Sequence, residues 1–123
     1  MKEFHHHKFC PIRDILSRIG SKWSMLVLIT LDANGTMRFN EIQKSIGDIS
    51  QRMLTLTVRT LEADGLIKRN VYPEVPPRVE YALTDRGYSL MPLLKELVRW
   101  ALDNQEQILE ERANLDAQEE VKG

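Results

Sequence analysis

"ISQRMLTLTVRTLEADGL", residues 49–66, decides how this chain folds. Turned through about 100° per residue, Leu54, Val58 and Leu61 fall on one side of a helix for which Ser50 is the natural N-cap. Arg52, Leu56, Arg59 and Ala63 fall on the opposite side, with threonines at the borders and no acid before Glu62. The outward side of a surface helix usually carries mixed, solvated charge. This one carries two guanidinium groups around a stranded leucine, which makes it a candidate binding surface.

The segments on the N-terminal side supply what the inward face packs against. "NEIQKSIG", residues 40–47, reads as a helix capped by Asn40 and facing inward through Ile42 and Ile46, with a tight link over residues 47–49. "TMRF", residues 36–39, is a short extended stretch. "KWSMLVLITLDANG", residues 22–35, is capped by Ser21 and ended by Asn34-Gly35. Its centre from Met25 to Leu31 is apolar almost all round, which predicts a core helix. Pro11 opens a short first helix with Ile12, Ile15, Leu16 and Ile19 at helical spacing, and Gly20 stops it.

Beyond Asp64-Gly65 the period changes from helical to alternating. "LIKRNVY" and "RVEYAL" are two strands of a hairpin, with Val79, Tyr81 and Leu83 on one face of the second and Arg78, Glu80 and Ala82 on the other. Pro73, Pro76 and Pro77 stiffen the tip between them and remove three amide donors. Thr84 caps a long closing helix. Pro92 either kinks it near its start or marks where its regular part begins, and fraying is expected beyond about Asn114. Leu94, Leu97, Val98, Trp100 and Ala101 help make this helix apolar on more than one stripe. One small domain cannot cover so much, so burial against the same helix of a second copy is expected, with Ile108, Leu109 and Leu115 extending the seam.

The expected class is therefore mainly α with a small β-hairpin (α+β), in the element order of a winged helix-turn-helix. The expected organisation is a flexible arm over residues 1–10, the winged domain with its dimerisation helices over 11–102, and an acidic helical extension and tail over 103–123. At 123 residues, 42% apolar and 28% charged, the chain has the make-up of one soluble globular domain. It has no apolar run of roughly 18 residues and no signal-peptide h-region, so no membrane association is expected and the cytoplasm is the expected location. The net charge of −1 conceals an asymmetry. Residues 1–102 hold 15 Lys+Arg against 11 Asp+Glu, a balance of +4, and residues 103–123 hold 2 against 7, a balance of −5. A mildly basic body can meet a polyanion if its cations share one face.

In a helix-turn-helix the second helix lays its outward face in the DNA major groove, and the residue types suit that task. Arg52 and Arg59 can grip guanine or phosphate, Thr55 can serve either, and Leu56 can cover a thymine methyl group. Gln51 can read adenine, while Ser50 and the helix start offer amides to a phosphate. In the wing, Arg78 stands at the base of the proline tip, within reach of a minor groove, and Lys68 and Arg69 either bind backbone or pair with nearby acids. Each residue also has a plain reading: the arginines as solvated cations, Leu56 as core, Arg78 as a cross-strand partner. Their shared position beside the turn favours double-stranded DNA as the partner, with a protein-interaction module centred on Leu56 as the alternative.

Catalysis finds no support, since there is no Gly-rich phosphate loop, no paired-histidine helix motif, and no histidine beyond residue 7 to serve Cys10 as a base. "FHHHKFC" contains His5, His6 and His7 beside that cysteine. Adjacent histidines on a flexible end close a coordination sphere poorly, so neither metal nor cofactor is expected, and a mobile start, native or appended, is the better reading. The single cysteine excludes an internal disulfide and leaves mixed or intersubunit bonds.

"CPI", "GSKWSMLVLITL", "RFNEIQKSI", "ISQRMLTLTVRTLEADGLIKR", "PPRVEYALTDRGYSL" and "LVRW" together resemble the HxlR-type winged-helix transcription regulators, in order and spacing, from Cys10 to Trp100. The resemblance implies a homodimer built from the first and last helices, which adds Ile12 and Leu16 to the interface, bound to inverted or direct half-sites as repressor or activator. It also implies a cysteine where Cys10 stands, which some members use to sense oxidants or electrophiles. Lys8 and Arg13 nearby would lower its thiol pKa. An unidentified small-molecule or electrophile effector fits the same picture.

Overall fold

A computed structural model describes residues 11–122, Lys122 by its backbone alone. Cys10, His5, His6 and His7 lie outside the described residues. Two compact units divide the chain, Met1–Met91 and Pro92–Gly123.

In the first unit, α1 (Pro11–Ile19), α2 (Lys22–Asn34), β1 (Met37–Arg38), α3 (Phe39–Ile46) and α4 (Gln51–Ala63) precede β2 (Ile67–Tyr72), β3 (Arg78–Leu83) and the start of α5 (Asp85–Lys122). The helix starts follow from local chemistry. Ser21 accepts a hydrogen bond from the Ser24 amide at 3.1 Å, and Thr84 accepts one from the Gly87 amide at the same distance, each filling an orphan donor of a first turn. Asn40 is not the cap of α3: the helix starts at Phe39 with Arg38 as its N-cap, two residues earlier, and the Glu41 carboxylate accepts the Arg38 amide at 2.8 Å. Gly35 and Gly47 follow α2 and α3 at φ 76° and 94°, left-handed values that a side chain would strain.

α2 sits against α1, α3, α4 and β3, and Val27, Leu28 and Leu31 on it are buried completely. It is nevertheless not covered all round: Ser24 joins the buried stripe, while Leu26 remains exposed. Ile42 of α3 together with Leu54 and Leu61 of α4 completes the core. The strands form one antiparallel sheet ordered β1-β3-β2, so the hairpin gains a third strand from "TMRF", with Met37 opposite Tyr81 and Arg38 opposite Glu80. As the central strand, β3 buries Tyr81, Ala82 and Leu83 in succession. Both its faces are covered there, which removes the alternation expected of Ala82.

Arg18 Nε donates to Asp64 Oδ2 at 2.8 Å, joining the last turn of α1 to the residue that ends α4. α1 buries none of its residues, so Ile12, Ile15 and Leu16 form a bare apolar face.

In the second unit, α5 continues through Pro92 and past Asn114 to Lys122, where the sequence predicts fraying. Gln, Glu, Ala, Leu and Arg dominate that stretch, all strong helix formers. Leu97, Val98, Trp100, Ala101, Leu102 and Leu109 are exposed. Leu94, also expected at the interface, is 5% exposed in the single chain.

Candidate nucleic-acid interface

α4 is supported locally by its N-cap and by two of its threonines. Ser50 Oγ accepts the Met53 amide at 3.0 Å, Thr55 Oγ1 donates to the Gln51 carbonyl at 2.8 Å, and Thr57 Oγ1 donates to the Met53 carbonyl at 2.7 Å. Leu54, Thr57, Val58 and Leu61 are buried. The opposite crest of Arg52, Leu56, Arg59 and Ala63 is exposed, with Leu56 at 48%. Among the described residues no ion pair or side-chain hydrogen bond engages Arg52 or Arg59. A charge held in water without a partner is available to an incoming anion at small desolvation cost.

A groove runs along each flank of this crest. On one side Met53, Leu56, Thr57 and Thr60 of α4 face Ser17 and Ser21 across about 240 Å³. On the other, Gln51, Thr55, Arg59 and Glu62 face Phe39 and the sheet residues Arg69, Val79 and Tyr81 across a cleft of about 410 Å³.

The wing cations do not act together. Arg69 is paired in register with Tyr81 and Lys68 with Ala82, so the two project from opposite faces of β2. Both are exposed, but only Arg69 lines the cleft beside α4. Arg78 is not a bare cation at the tip. Its NH2 lies 3.4 Å from Glu74 Oε1 and its Nε 3.2 Å from Glu80 Oε1, and its guanidinium stacks on Tyr72. Glu80 reaches it from two residues along the same face of β3 and Glu74 from the tip, four residues back, which leaves its charge balanced within the hairpin.

Tyr81, Phe39 and Glu62 are cleft residues that the sequence reading does not single out. Alternation gives Tyr81 a face, but only the β2–β3 register brings Arg69 onto the same face. Burial raises the Tyr81 phenol pKa above its ordinary value; Arg69 and Arg59 pull it back, and Glu62 adds to the rise. Those charges therefore act on the hydroxyl.

The model of the HxlR-like helix-turn-helix family matches residues 18–109, which take in α2, the α3–α4 pair and the whole wing. The chain belongs to that family. Its members are transcriptional regulators. An HTH-type transcriptional regulator of Methanothermobacter thermautotrophicus is 54% identical over 91 residues, 74% of this chain and 69% of its own. Among solved structures, the redox regulator HypR in its oxidized form is 43% identical at a TM-score of 0.69, covering 77% of this chain and 97% of that one. A transcriptional regulator ytfH from Salmonella typhimurium is 36% identical at a TM-score of 0.79, covering 90% and 99%. No helix among the described residues is long and apolar enough to cross a membrane.

Proposed function

We propose that this HxlR-like chain regulates transcription as a homodimer that lays the crest of α4 in the major groove of double-stranded DNA. The observation that carries the reading is the exposed set Arg52, Leu56 and Arg59 between two grooves, its two cations without an ion-pair partner among the described residues. An α-helix with side chains is about 10–12 Å across, close to the roughly 12 Å width of the major groove. A crest seated there leaves the flanking grooves beside the two backbones. Arg52 and Arg59 reach guanine edges or phosphates, Leu56 meets a thymine methyl group, and Gln51 and Ser50 lie at the end where the helix dipole favours a phosphate.

Dimerisation is supported by the bare apolar faces of α1 (Ile12, Leu16) and of α5 (Leu97, Val98, Trp100, Ala101). Arg78 has a different role from the one its sequence position suggests: it orders the wing through Glu74, Glu80 and Tyr72, and Lys68 and Arg69 carry the wing's free charge. Cys10 is proposed as the responsive thiol, since the similar protein HypR is a redox regulator and this chain has one cysteine.

The test is to recover fragments bound from a random duplex library, with and without oxidant, beside a non-reducing gel. Enriched half-sites about one helical turn apart support the reading. No enrichment over input contradicts it. An oxidant-dependent band of twice the mass, lost in Cys10→Ser, supports the thiol role.

A further inference from the structure

Between α4 and the sheet, three hydrogen-bond donors converge on one cleft. Arg59 stands on the helix wall, Arg69 on the β2 wall, and Tyr81 lies between them on β3. The Tyr81 side chain is buried, yet no hydrogen bond among the described residues takes its hydroxyl. Among the described residues neither guanidinium is ion-paired. Only Arg78 Nε, among the described residues, is a buried polar side-chain atom without a hydrogen-bond partner, so the Tyr81 hydroxyl is not sealed off and meets the open cleft.

The volume of about 410 Å³ corresponds to roughly fourteen water molecules at about 30 Å³ each, so a nucleotide-sized group fits. The helix wall carries Gln51, Thr55, Arg59 and Glu62, a stripe whose ends are 11 helical steps apart, or about 16 Å. That is the length of a strand segment, not of a lone anion. Two guanidiniums against the one Glu62 carboxylate leave a net positive cleft. A small anion would be held weakly there, but a polyanion returns the cost through counterion release.

We propose that this cleft seats the sugar-phosphate backbone of one DNA strand, gripped by Arg59 and Arg69 with the Tyr81 hydroxyl as a third donor, and with Glu62 limiting its strength. This rests on α4 entering the major groove, because only then does a backbone run along the sheet side of the helix. It gives Tyr81 and Glu62 functions beyond packing and solvation. It also separates two tasks on one helix: Arg52 and Leu56 meet base edges, and Arg59 stands at the border with the strand.

The experiment measures fluorescence anisotropy of a library-selected duplex and a random-sequence duplex against the full chain, across salt concentrations. Tyr81→Phe, Arg69→Gln, Glu62→Gln and Arg52→Ala are compared with the unsubstituted protein, and thermal melts check the fold. Arg69→Gln is expected to weaken both duplexes equally and to lower the slope of log K against log salt by about 0.9 per subunit. Its deficit therefore shrinks about 3.5-fold per subunit between 50 and 200 mM salt, the factor 4 raised to 0.9. Tyr81→Phe keeps the ring and should weaken both duplexes at an unchanged slope. Glu62→Gln should tighten both.

If Arg52→Ala removes the preference for the selected duplex while Arg69→Gln and Tyr81→Phe bind with unchanged affinity and slope, the cleft proposal is overturned and the DNA-binding reading stands. If the unsubstituted protein retains neither duplex at low salt, the reading beneath it fails. A third arm replaces chloride with inorganic phosphate at equal ionic strength. Duplex displacement in this arm that Tyr81→Phe abolishes would make the cleft a free-anion site and contradict the proposal, whereas equal binding in the two salts supports it.

Discussion

The Arg78 guanidinium lies 4.1 Å from the centre of the Tyr72 ring, directly across the β2–β3 ladder, with Glu74 and Glu80 as ion-pair partners. A cation so engaged stiffens the wing and offers little charge to DNA. Arg78→Ala should therefore cost about 1 kcal/mol of stability, the scale of a partly exposed cation–π contact with weak ion pairs. Duplex affinity should fall less than it does for Arg69→Gln. Chemical denaturation paired with anisotropy checks this; unchanged stability with a large affinity loss would return Arg78 to the DNA contact set.

The crest and the core should separate cleanly on mutation. Leu28 is wholly buried on α2, so Leu28→Ala should cost roughly 2–5 kcal/mol through lost burial and the cavity it leaves. Leu56→Ala on the crest should stay within about 0.5 kcal/mol of the unsubstituted protein. Urea unfolding measures both. A large destabilisation by Leu56→Ala would mean that the leucine is covered.

Much of this arrangement is legible in the chain because α4 is amphipathic. Its period separates Leu54, Val58 and Leu61 from Arg52, Leu56 and Arg59, and the Ser21, Ser50 and Thr84 caps mark helix starts through residue chemistry alone. What is not legible depends on partners brought in from elsewhere. Periodicity gives Tyr81 a face but cannot say that Arg69 shares it, since that follows from the strand register. For Arg78 the sequence leaves a minor-groove cation and a paired strand residue both open, and only the tip shows that Glu74 joins it. Asn40 looks like a cap, yet the N-cap is Arg38, whose amide donates to Glu41 inside the helix. Leu26 shows the same limit, because apolar character does not tell which side of a helix its own chain will cover.

The exposed apolar residues of α5 should matter to assembly more than to folding. Leu97→Glu combined with Trp100→Glu changes residues that are bare in the single chain, so helical content should be retained. Sedimentation should find a dimer for the unsubstituted protein and a monomer for the variant. A variant that stays dimeric would move the interface away from this face.

Tyr81 gives the fold an alkaline limit. Its phenol pKa is raised in the folded state above the ordinary 10.0, first through burial, so the folded chain keeps a proton that the unfolded chain releases. The associated stability is intact below pH 10.0 and is lost as pH rises from there through the folded-state pKa. Melting temperatures above pH 10 should fall less steeply in Tyr81→Phe than in the unsubstituted protein. Parallel curves would show that the phenol does not titrate differently on folding.

The most direct measurement is the affinity of the library-selected duplex for the unsubstituted chain and for Arg52→Ala/Arg59→Ala, at one salt concentration and with the fold verified by circular dichroism. With the crest of α4 in the major groove, the double variant should lose roughly 1–3 kcal/mol for each base contact removed, together with its preference over random sequence. Retention of both affinity and preference would place DNA recognition on some other surface.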